Sequence, residues 1–220
     1  MQGAPTARCL ILVTPDAQRT LNTYLGACME LGPADIDIGR VRAARVTYIE
    51  GYMWEQPDAK AACRLAMDTA RTGGREVSLT LSDSFCVDRH REEFLALVRE
   101  RVDILFANES ELVSLYQTRS FDEALQRVRR DCKVAALTRS EKGSVVVSGD
   151  ELHIVDAAKV TRVIDTTGAG DMYAAGFLYG YTRGRPLAEC GRLGGICAAE
   201  VIGHVGARPE VPLKTLIGAA

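Results

Sequence analysis

Apolar and polar positions follow two alternating patterns along the chain. Short apolar runs, typical of buried strands, alternate with longer segments whose apolar residues recur every three or four positions, as in helices that cover a sheet. Strands and helices in this order predict a three-layer α/β fold with a mainly parallel sheet. No linker-like stretch interrupts the pattern, so we expect a single domain over residues 1–220. The predicted strands cover 46–52, 76–81, 104–107 and 134–138, and the predicted helices start at Pro33 or cover 57–72, 88–101, 108–116, 121–131, 172–181 and 187–203.

Two pairs of apolar or β-branched runs are separated by turn residues. Residues 8–14 and 19–25 flank a Pro-Asp-Ala-Gln turn, and residues 144–148 and 151–155 flank a Gly-Asp turn. Turn residues between two such runs predict β-hairpins. We therefore expect a hairpin over residues 8–25, ahead of the parallel sheet.

Length and composition are those of a globular protein. With 220 residues, 47% of them hydrophobic, the chain can bury a sizeable core. A net charge of −2 gives no general attraction for nucleic acid or an anionic membrane, so we expect a small-molecule partner, no nucleic acid and no membrane. Residues 1–7 lack the features of a signal peptide, and the seven cysteines form no Cys-x-x-Cys pair. Both observations favour a cytoplasmic location with buried, reduced thiols.

Residues 165–171, Asp-Thr-Thr-Gly-Ala-Gly-Asp, place a glycine turn and a carboxylate at the start of a predicted helix. Glycines allow backbone conformations in which consecutive N–H groups converge on an anion, and the helix dipole adds about half a positive charge there. An aspartate in such a site suggests a proton acceptor for a hydroxyl that attacks phosphorus. The alternative is an ordinary helix start, capped by Asp165 or Thr167.

Asn108, Thr138 and Asp165 each end or follow a short apolar run. Ligands of open parallel sheets bind at the carboxyl ends of the strands, so we expect these residues to face one crevice. Asn108 and Glu111 could position Mg²⁺, which keeps several waters, against nucleotide phosphates. Alternatively, they form a capping box. Thr138 could bond a phosphate or be a satisfied hydroxyl at a strand end.

Glu50 lies at the carboxyl end of the first predicted strand of the parallel sheet, and Asp83 follows the next predicted strand. Each could contact a substrate hydroxyl, and each could instead cap or terminate its own element. The chain has no Gly-x-x-x-x-Gly-Lys-Ser/Thr sequence, so it is not a P-loop protein.

The 165–171 segment, followed by Met-Tyr-Ala-Ala-Gly-Phe, resembles the C-terminal signature of the ribokinase-like carbohydrate kinases, the PfkB family, which also contains adenosine kinases. Three other segments agree in order: Asn-Glu-Ser-Glu at 108–111, the loop 138–143 after a strand, and Gly-His-Val-Gly-Ala at 203–207. The resemblance extends over residues 8–209.

Within this family, residues 22–27, Asn-Thr-Tyr-Leu-Gly-Ala, and the Gly-Ala-Arg-Pro ending look most like bacterial adenosine-kinase-like members. The resemblance implies a ribokinase-like fold in which the hairpin 8–25 belongs to a lid over the acceptor. It also implies an enzyme that uses ATP and Mg²⁺ to phosphorylate the hydroxymethyl group of a sugar or nucleoside, of the adenosine or ribose type.

The resemblance implies roles for single residues as well. Asp171 would be the catalytic base, and the amides of Gly168, Ala169 and Gly170 would form the anion hole for the transferring phosphoryl group. Asn108 and Glu111 would organise Mg²⁺ through water. The remaining implied contacts are nucleotide binding by Asn108, Glu111, Thr138, Ser140 and Gly143, and a monovalent cation such as K⁺ near Asp165 and Thr167.

Two departures from the family pattern affect these expectations. Ser140 stands where the family usually has glycine, which bears on the approach of the backbone to the nucleotide. The family also carries a part ahead of the match at Arg8, with a sugar-binding Gly-Gly turn, a substrate aspartate and half of the lid. We therefore expect an N-terminally truncated kinase domain, with a hairpin that could pair in a homodimer. The alternative is a non-catalytic nucleotide-binding fragment.

Overall fold

The computed structural model describes residues 3–216 and 218. Its strands are β1 (Arg8–Val13), β2 (Arg19–Tyr24), β3 (Val46–Glu50), β4 (Glu76–Thr80), β5 (Ile104–Asn108), β6 (Val134–Thr138), β7 (Ser144–Ser148) and β8 (Glu151–Val155). Its α-helices are α1 (Ile38–Ala43), α2 (Pro57–Thr72), α3 (Ser84–Glu100), α4 (Glu109–Tyr116), α5 (Phe121–Asp131), α6 (Ala169–Tyr181), α7 (Leu187–Val201) and α8 (Leu213–Leu216). Short 3-10 turns cover Gly26–Glu30, Pro33–Asp35, Gly51–Glu55 and Ser140–Lys142.

Six strands form one sheet in the order β3-β4-β5-β6-β7-β8. Strands β3 to β6 pair in parallel, with Ile49 opposite Leu79 and Leu105 opposite Ala135. β1 and β2 form a separate antiparallel sheet. The predicted α/β fold, with a mainly parallel sheet and an N-terminal hairpin, is therefore confirmed.

The chain forms two compact units. The first contains residues 25–139 and 147–152 with the segment before Ala7, and the second contains residues 7–24, 140–146 and the chain from His153 onward. The single domain expected over residues 1–220 stays a prediction.

In the first unit, the core lies along the parallel strands. β5 is buried at four of its five positions, 104–107, as expected of a parallel strand covered on both faces. The single tryptophan, Trp54, is fully buried, and its ring centroid lies 5.8 Å from that of Phe94 in α3. The burial on both faces explains why these strands read as continuous apolar runs in the sequence.

In the second unit, α6 and α7 pack closely along glycines. A Cβ on Gly176 would lie 2.5 Å from the carbonyl oxygen of Leu193, and one on Gly194 would lie 2.8 Å from the carbonyl oxygen of Tyr173. Larger side chains would force the two helices apart. These glycines therefore set the position of α6, the helix that follows the 165–171 turn.

The helix predicted to start at Pro33 is wrong. A 3-10 turn, Pro33–Asp35, is followed by the separate helix α1, because the Asp37 side chain accepts a hydrogen bond from the amide of Arg40 at 3.0 Å and so caps a new helix. The helix predicted at 88–101 starts earlier, at Ser84, and departs from helical geometry at His90 (φ −123°, ψ 22°).

The apolar pair at 163–164, which Asp165 follows, does not form a strand. The amide of Ile164 instead donates a hydrogen bond to the carbonyl oxygen of Ile202 at 2.8 Å. β3 is also shorter than predicted, because the chain turns at Gly51, where a Cβ would lie 2.7 Å from the carbonyl oxygen of Leu81.

All seven cysteines are free thiols, and Cys9 and Cys28 are exposed, contrary to the expectation that every thiol is buried. Cys9 lies on the hairpin, where most positions of both strands are exposed. Within the described ranges, no helix combines the length and the apolar character needed to cross a membrane.

Candidate functional site

The glycine turn ahead of α6 depends on the backbone conformation of Gly168. This residue has φ 80° and ψ 0°, in the left-handed region that favours glycine, and it is the N-cap residue of α6. A Cβ at Gly168 would lie 3.0 Å from the Cβ and 3.1 Å from the Cα of Ala207. The turn therefore packs directly against the segment around Ala207.

Asp165 ties the turn to the same segment. Its Oδ1 accepts hydrogen bonds from the N and Oγ1 of Thr167 at 2.9 and 2.6 Å, and its Oδ2 accepts one from the N of Gly206 at 2.9 Å. Burial alone would raise the pKa of Asp165, but these hydrogen bonds and the charge of Arg19 outweigh burial and hold the pKa below its ordinary value. Asp165 is therefore a buried, ionised carboxylate, and it does not cap α6 itself.

The first turn of α6 has N–H groups without acceptors. The amide of Ala169 donates to the carbonyl oxygen of Thr166 at 3.2 Å, whereas the amides of Gly170 and Asp171 have no acceptor among the described residues. Gly170 has no positive φ, and a Cβ there would meet no atom within 4 Å. Neither backbone conformation nor packing therefore requires glycine at position 170.

Asp171 follows these amides, and its side chain is exposed. Within the part of the chain that the structure describes, its carboxylate has no hydrogen-bond or ion-pair partner. The protein atoms that partly surround the carboxylate raise the pKa of Asp171 above its ordinary value. A raised pKa makes this carboxylate a stronger proton acceptor than an ordinary aspartate.

Sequence patterns do not single out Arg19, yet the fold brings it to the turn. Its Nη1 donates a hydrogen bond from β2 to the Oγ1 of Thr167 at 3.3 Å. The two residues are 148 positions apart in the sequence, so no local signal could have identified the contact. The hairpin therefore supplies a positive charge next to the glycine turn.

The loop between β6 and β7 contains two residues with positive φ, Ser140 at 52° and Gly143 at 80°. A Cβ at Gly143 would overlap the carbonyl oxygen of Val155 and lie 2.7 Å from the N of Ala157, so packing within the protein requires glycine there. At Ser140 the left-handed conformation costs a residue with a Cβ about 1–2 kcal/mol. Glycine avoids this cost, which explains why the family pattern has glycine where this chain has Ser140.

In the first unit, Asn108 and Glu111 form the capping box. The Asn108 Oδ1 accepts from the Glu111 N at 2.9 Å, and the Glu111 Oε2 accepts from the Asn108 N at 2.9 Å. The Asn108 Nδ2 also donates to the Glu111 Oε1 at 2.6 Å. Burial raises the pKa of Glu111 to about 7; the Asn108 amide opposes this shift, and the charge of Asp83 adds to it. The structure thus places a buried carboxylate and an amide together at the end of β5.

Thr138 lies next to this pair, because Asn108 of β5 and Thr138 of β6 are opposite each other in the parallel register. The following residue, Arg139, is held by protein groups. Its Nε lies 3.0 Å from the Oε2 of Glu109, and its guanidinium carbon lies 4.1 Å from the ring centroid of Phe121. Three of the predicted nucleotide residues therefore lie at one sheet edge, beside an arginine that is already paired.

Glu50 and Asp83 lie at the ends of the neighbouring strands β3 and β4. Glu50 is the last residue of β3, and the Asp83 Oδ1 accepts a hydrogen bond from the Phe85 amide at 2.6 Å, so Asp83 caps α3. Two exposed aromatic side chains lie near them in the chain, Tyr52 at 50% and Phe85 at 71% exposure.

We expect Glu111 to make stability depend on pH. Its pKa of about 7 in the folded chain exceeds the ordinary value of 4.5, so the folded state binds the proton more tightly. The resulting stabilisation is complete below pH 4.5 and is lost as the pH rises through about 7, by up to about 3 kcal/mol. The free energy of unfolding, measured with urea across this pH range, should depend more steeply on pH for the parent than for Glu111→Gln. Glu100→Gln, at an exposed position, is the control and should behave like the parent.

The parallel sheet, the hairpin and the glycine turn with its aspartate are the features on which the resemblance to the PfkB family rests. The sequence profile of the pfkB family carbohydrate kinases matches residues 1–214. The chain therefore belongs to this family, and the predicted resemblance is confirmed.

Individual relatives agree with this assignment. The adenosine kinase of Saccharomyces cerevisiae is 31% identical over 96% of this chain and 64% of that protein. The crystal structure of adenosine kinase from Sinorhizobium meliloti is 56% identical, with a TM-score of 0.94 over 97% of this chain and 66% of that one. A putative ribokinase II from E. coli in complex with ATP and Mg²⁺ shares the fold, with a TM-score of 0.81 and 18% identity over 90% of this chain and 66% of that one.

The relatives are longer than this chain. It spans between 40% and 64% of the length of seven curated relatives, all of them described as kinases.

Proposed function

We propose that this chain carries the base and nucleotide machinery of a kinase that transfers a phosphate from ATP to the hydroxymethyl group of a nucleoside or sugar, of the adenosine or ribose type. The observation that supports this most is the carboxylate of Asp171. It is exposed, has a raised pKa and directly follows two N–H groups that have no acceptor among the described residues. In this proposal, Asp171 accepts the proton of the acceptor hydroxyl as that hydroxyl attacks phosphorus.

The amides of the glycine turn would bind the transferring phosphoryl group. In a loose transition state, charge spreads over the phosphoryl oxygens, so positioned donors contribute more than covalent chemistry does. The amides of Gly168 and Gly170 have no acceptor among the described residues, whereas that of Ala169 already donates to Thr166. Arg19, hydrogen-bonded to Thr167, would add a positive charge at the same turn.

The Asn108–Glu111 pair fits a Mg²⁺ ion bound through water. Glu111 is buried, and burial together with the nearby charge of Asp83 raises its pKa to about 7. A divalent cation would neutralise both carboxylates, and oxygen ligands are the ones that Mg²⁺ prefers. When bound, Mg²⁺ would supply charge neutralisation at the nucleotide phosphates. We propose that Thr138, Ser140 and Gly143 contact that nucleotide.

Asp165 and Thr167 fit a monovalent cation less well than Asn108 and Glu111 fit Mg²⁺. Asp165 already accepts three hydrogen bonds, and the guanidinium of Arg19 lies next to Thr167. The expected K⁺ stays a prediction, and no step of the proposed reaction depends on it.

The edge that follows β3 and β4 favours a nucleoside as the acceptor. Exposed aromatic rings bury apolar area when they stack on a planar base. Tyr52 is 50% exposed and Phe85 is 71% exposed, and they lie close in the sequence to Glu50 and Asp83, respectively. The two acidic side chains could accept hydrogen bonds from ribose hydroxyls. The relatives described as adenosine kinases agree with this choice of acceptor.

The hairpin would serve as part of a lid over the acceptor. It could also pair with the hairpin of a second copy of this chain in a homodimer. Leu10, Leu12 and Leu21 are 51–73% exposed, so the hairpin offers apolar area to a partner surface. The homodimer, the cytoplasmic location and the N-terminal truncation stay predictions.

The alternative function is binding of nucleotide without transfer, which is motivated by the shorter length of this chain. A protein of this kind would bind ATP but would not label any acceptor. Direct comparison of ATP binding with phosphate transfer therefore separates the two functions.

The test of the anion site is replacement of Gly170. Since nothing in the protein requires glycine there, Gly170→Ala and Gly170→Val should leave the melting temperature nearly unchanged. A side chain at the amides should nevertheless obstruct the phosphoryl group and lower transfer by at least about tenfold. Steady-state assays and thermal melting measure the two effects.

Gly195→Ala is the matched control, because a Cβ at Gly195 in α7 also meets no atom within 4 Å. It should leave transfer unchanged and raise the melting temperature slightly, because alanine is favoured over glycine inside a helix. Unchanged transfer by Gly170→Val would remove the anion-site role, and collapse of stability together with transfer would show that the turn is purely structural.

A further inference from the structure

Tyr173 lies in the first turns of α6, two residues after Asp171, and contacts two other elements of the second unit. Its ring occupies the space left by Gly194 of α7, where a Cβ would lie 3.0 Å from two ring carbons. Its hydroxyl donates a hydrogen bond to the Oγ of Ser144 at 2.8 Å. Ser144 is the first residue of β7 and directly follows Gly143.

Both partners of this hydrogen bond are almost fully buried, with 4% of Tyr173 and 3% of Ser144 exposed. Burial raises the pKa of Tyr173 to about 12, so the phenol stays a neutral donor at any pH at which the protein works. A buried hydrogen bond is directional and costly to leave unmade, whereas apolar surfaces can slide past each other. The contact of Tyr173 with Ser144 therefore restrains α6 in a way that its apolar contacts with α7 do not.

We propose that Tyr173 and Ser144 are positioning residues, which hold Asp171 and the glycine turn at a fixed place relative to the Ser140–Gly143 loop. The hydrogen bond joins the start of α6 to the residue that follows this loop. The roles of the two ends, base and nucleotide loop, rest on the proposed function. The restraint itself rests only on the geometry of the pair.

The test uses Tyr173→Phe, Ser144→Ala and the double variant of the full chain. Each single change leaves one buried hydroxyl without its partner, so each should lower the melting temperature. The double variant removes both polar groups and should regain most of that loss. If the pair positions the turn, however, the double variant should keep the local defect of the single variants.

Two readouts report that defect. The hydrogen-bonded amides of Thr167, Ala169 and Met172 should exchange with solvent at least about fivefold faster in all three variants. Turnover should fall about tenfold in all three with the KM for ATP little changed, because displacements of around 1 Å cost up to about 10²-fold in rate. Tyr179→Phe, a tyrosine change on the same helix, is the control and should alter neither readout.

If the double variant recovers the parental amide exchange and turnover as well as the melting temperature, the proposal is overturned. The hydrogen bond between Tyr173 and Ser144 would then contribute to stability alone. If the parent, assayed together with the expected N-terminal part, transfers no phosphate, the proposed function fails, and the amide exchange of the double variant still decides the positioning role.

Discussion

Replacement of Asp171 by asparagine is expected to lower phosphate transfer by at least about 10²-fold, the usual size of a general-base effect. Asparagine has the same shape but cannot accept the proton of the acceptor hydroxyl. The loss should fall on turnover, because the base acts in the transition state. ATP binding should persist, since the structure gives Asp171 no hydrogen-bond partner among the described residues whose loss would disturb the fold.

The measurement combines steady-state kinetics with calorimetric titration of ATP, in a form of the protein that includes the expected N-terminal part. Asp156→Asn, at an exposed carboxylate of the same unit, is the control and should behave as the parent. Transfer by Asp171→Asn within about threefold of the parent would exclude Asp171 as the base.

Replacement of Gly143 by alanine is expected to lower the free energy of unfolding by about 2–5 kcal/mol. Gly143 has φ 80°, and the added Cβ would overlap the carbonyl oxygen of Val155 and lie 2.7 Å from the N of Ala157. The left-handed conformation costs about 1–2 kcal/mol, and overpacking against backbone adds about 1–3 kcal/mol. Urea unfolding of the purified variant measures the sum.

Gly149→Ala separates the two contributions. Gly149 also has a positive φ, 55°, but a Cβ there meets no atom within 4 Å. This control should lose only the conformational part, about 1–2 kcal/mol. Equal losses at the two positions would mean that the loop moves to accommodate the side chain, and the packing of Gly143 against residues 155–157 would then not be essential.

Elements decided by their own residues could be predicted from the sequence. α5 has the predicted bounds, Phe121–Asp131, because Ser120 accepts a hydrogen bond from the Glu123 amide at 3.2 Å and caps it. The β7–β8 hairpin also matches, because Gly149-Asp150 is a strong turn signal between two apolar runs.

Elements whose position or bounds depend on contacts or caps outside their own apolar pattern could not be predicted. Asp165 follows an apolar pair that forms no strand, and one of the hydrogen bonds that hold it comes from the amide of Gly206, 41 residues away. The helix expected to start at Pro33 is interrupted because Asp37 caps a new helix. The spacing of apolar residues, on which that prediction rests, carries no information about such a cap.

The candidate site divides in the same way. The capping box of Asn108 and Glu111 and the glycine turn are local patterns, so the sequence indicates them. The raised pKa of Glu111 requires burial and the charge of Asp83, which only the packing of α3 and α4 provides. The approach of Arg19 to Thr167 likewise exists only in the folded chain.

The measurement that tests the central claim most directly is transfer of labelled phosphate from γ-labelled ATP to adenosine and, separately, to ribose. The protein with the expected N-terminal part should form a labelled phosphate ester on the hydroxymethyl group, dependent on Mg²⁺ and absent with Asp171→Asn. Binding of ATP without formation of a labelled ester on either acceptor, or equal labelling by Asp171→Asn, would contradict the proposal that Asp171 drives phosphate transfer.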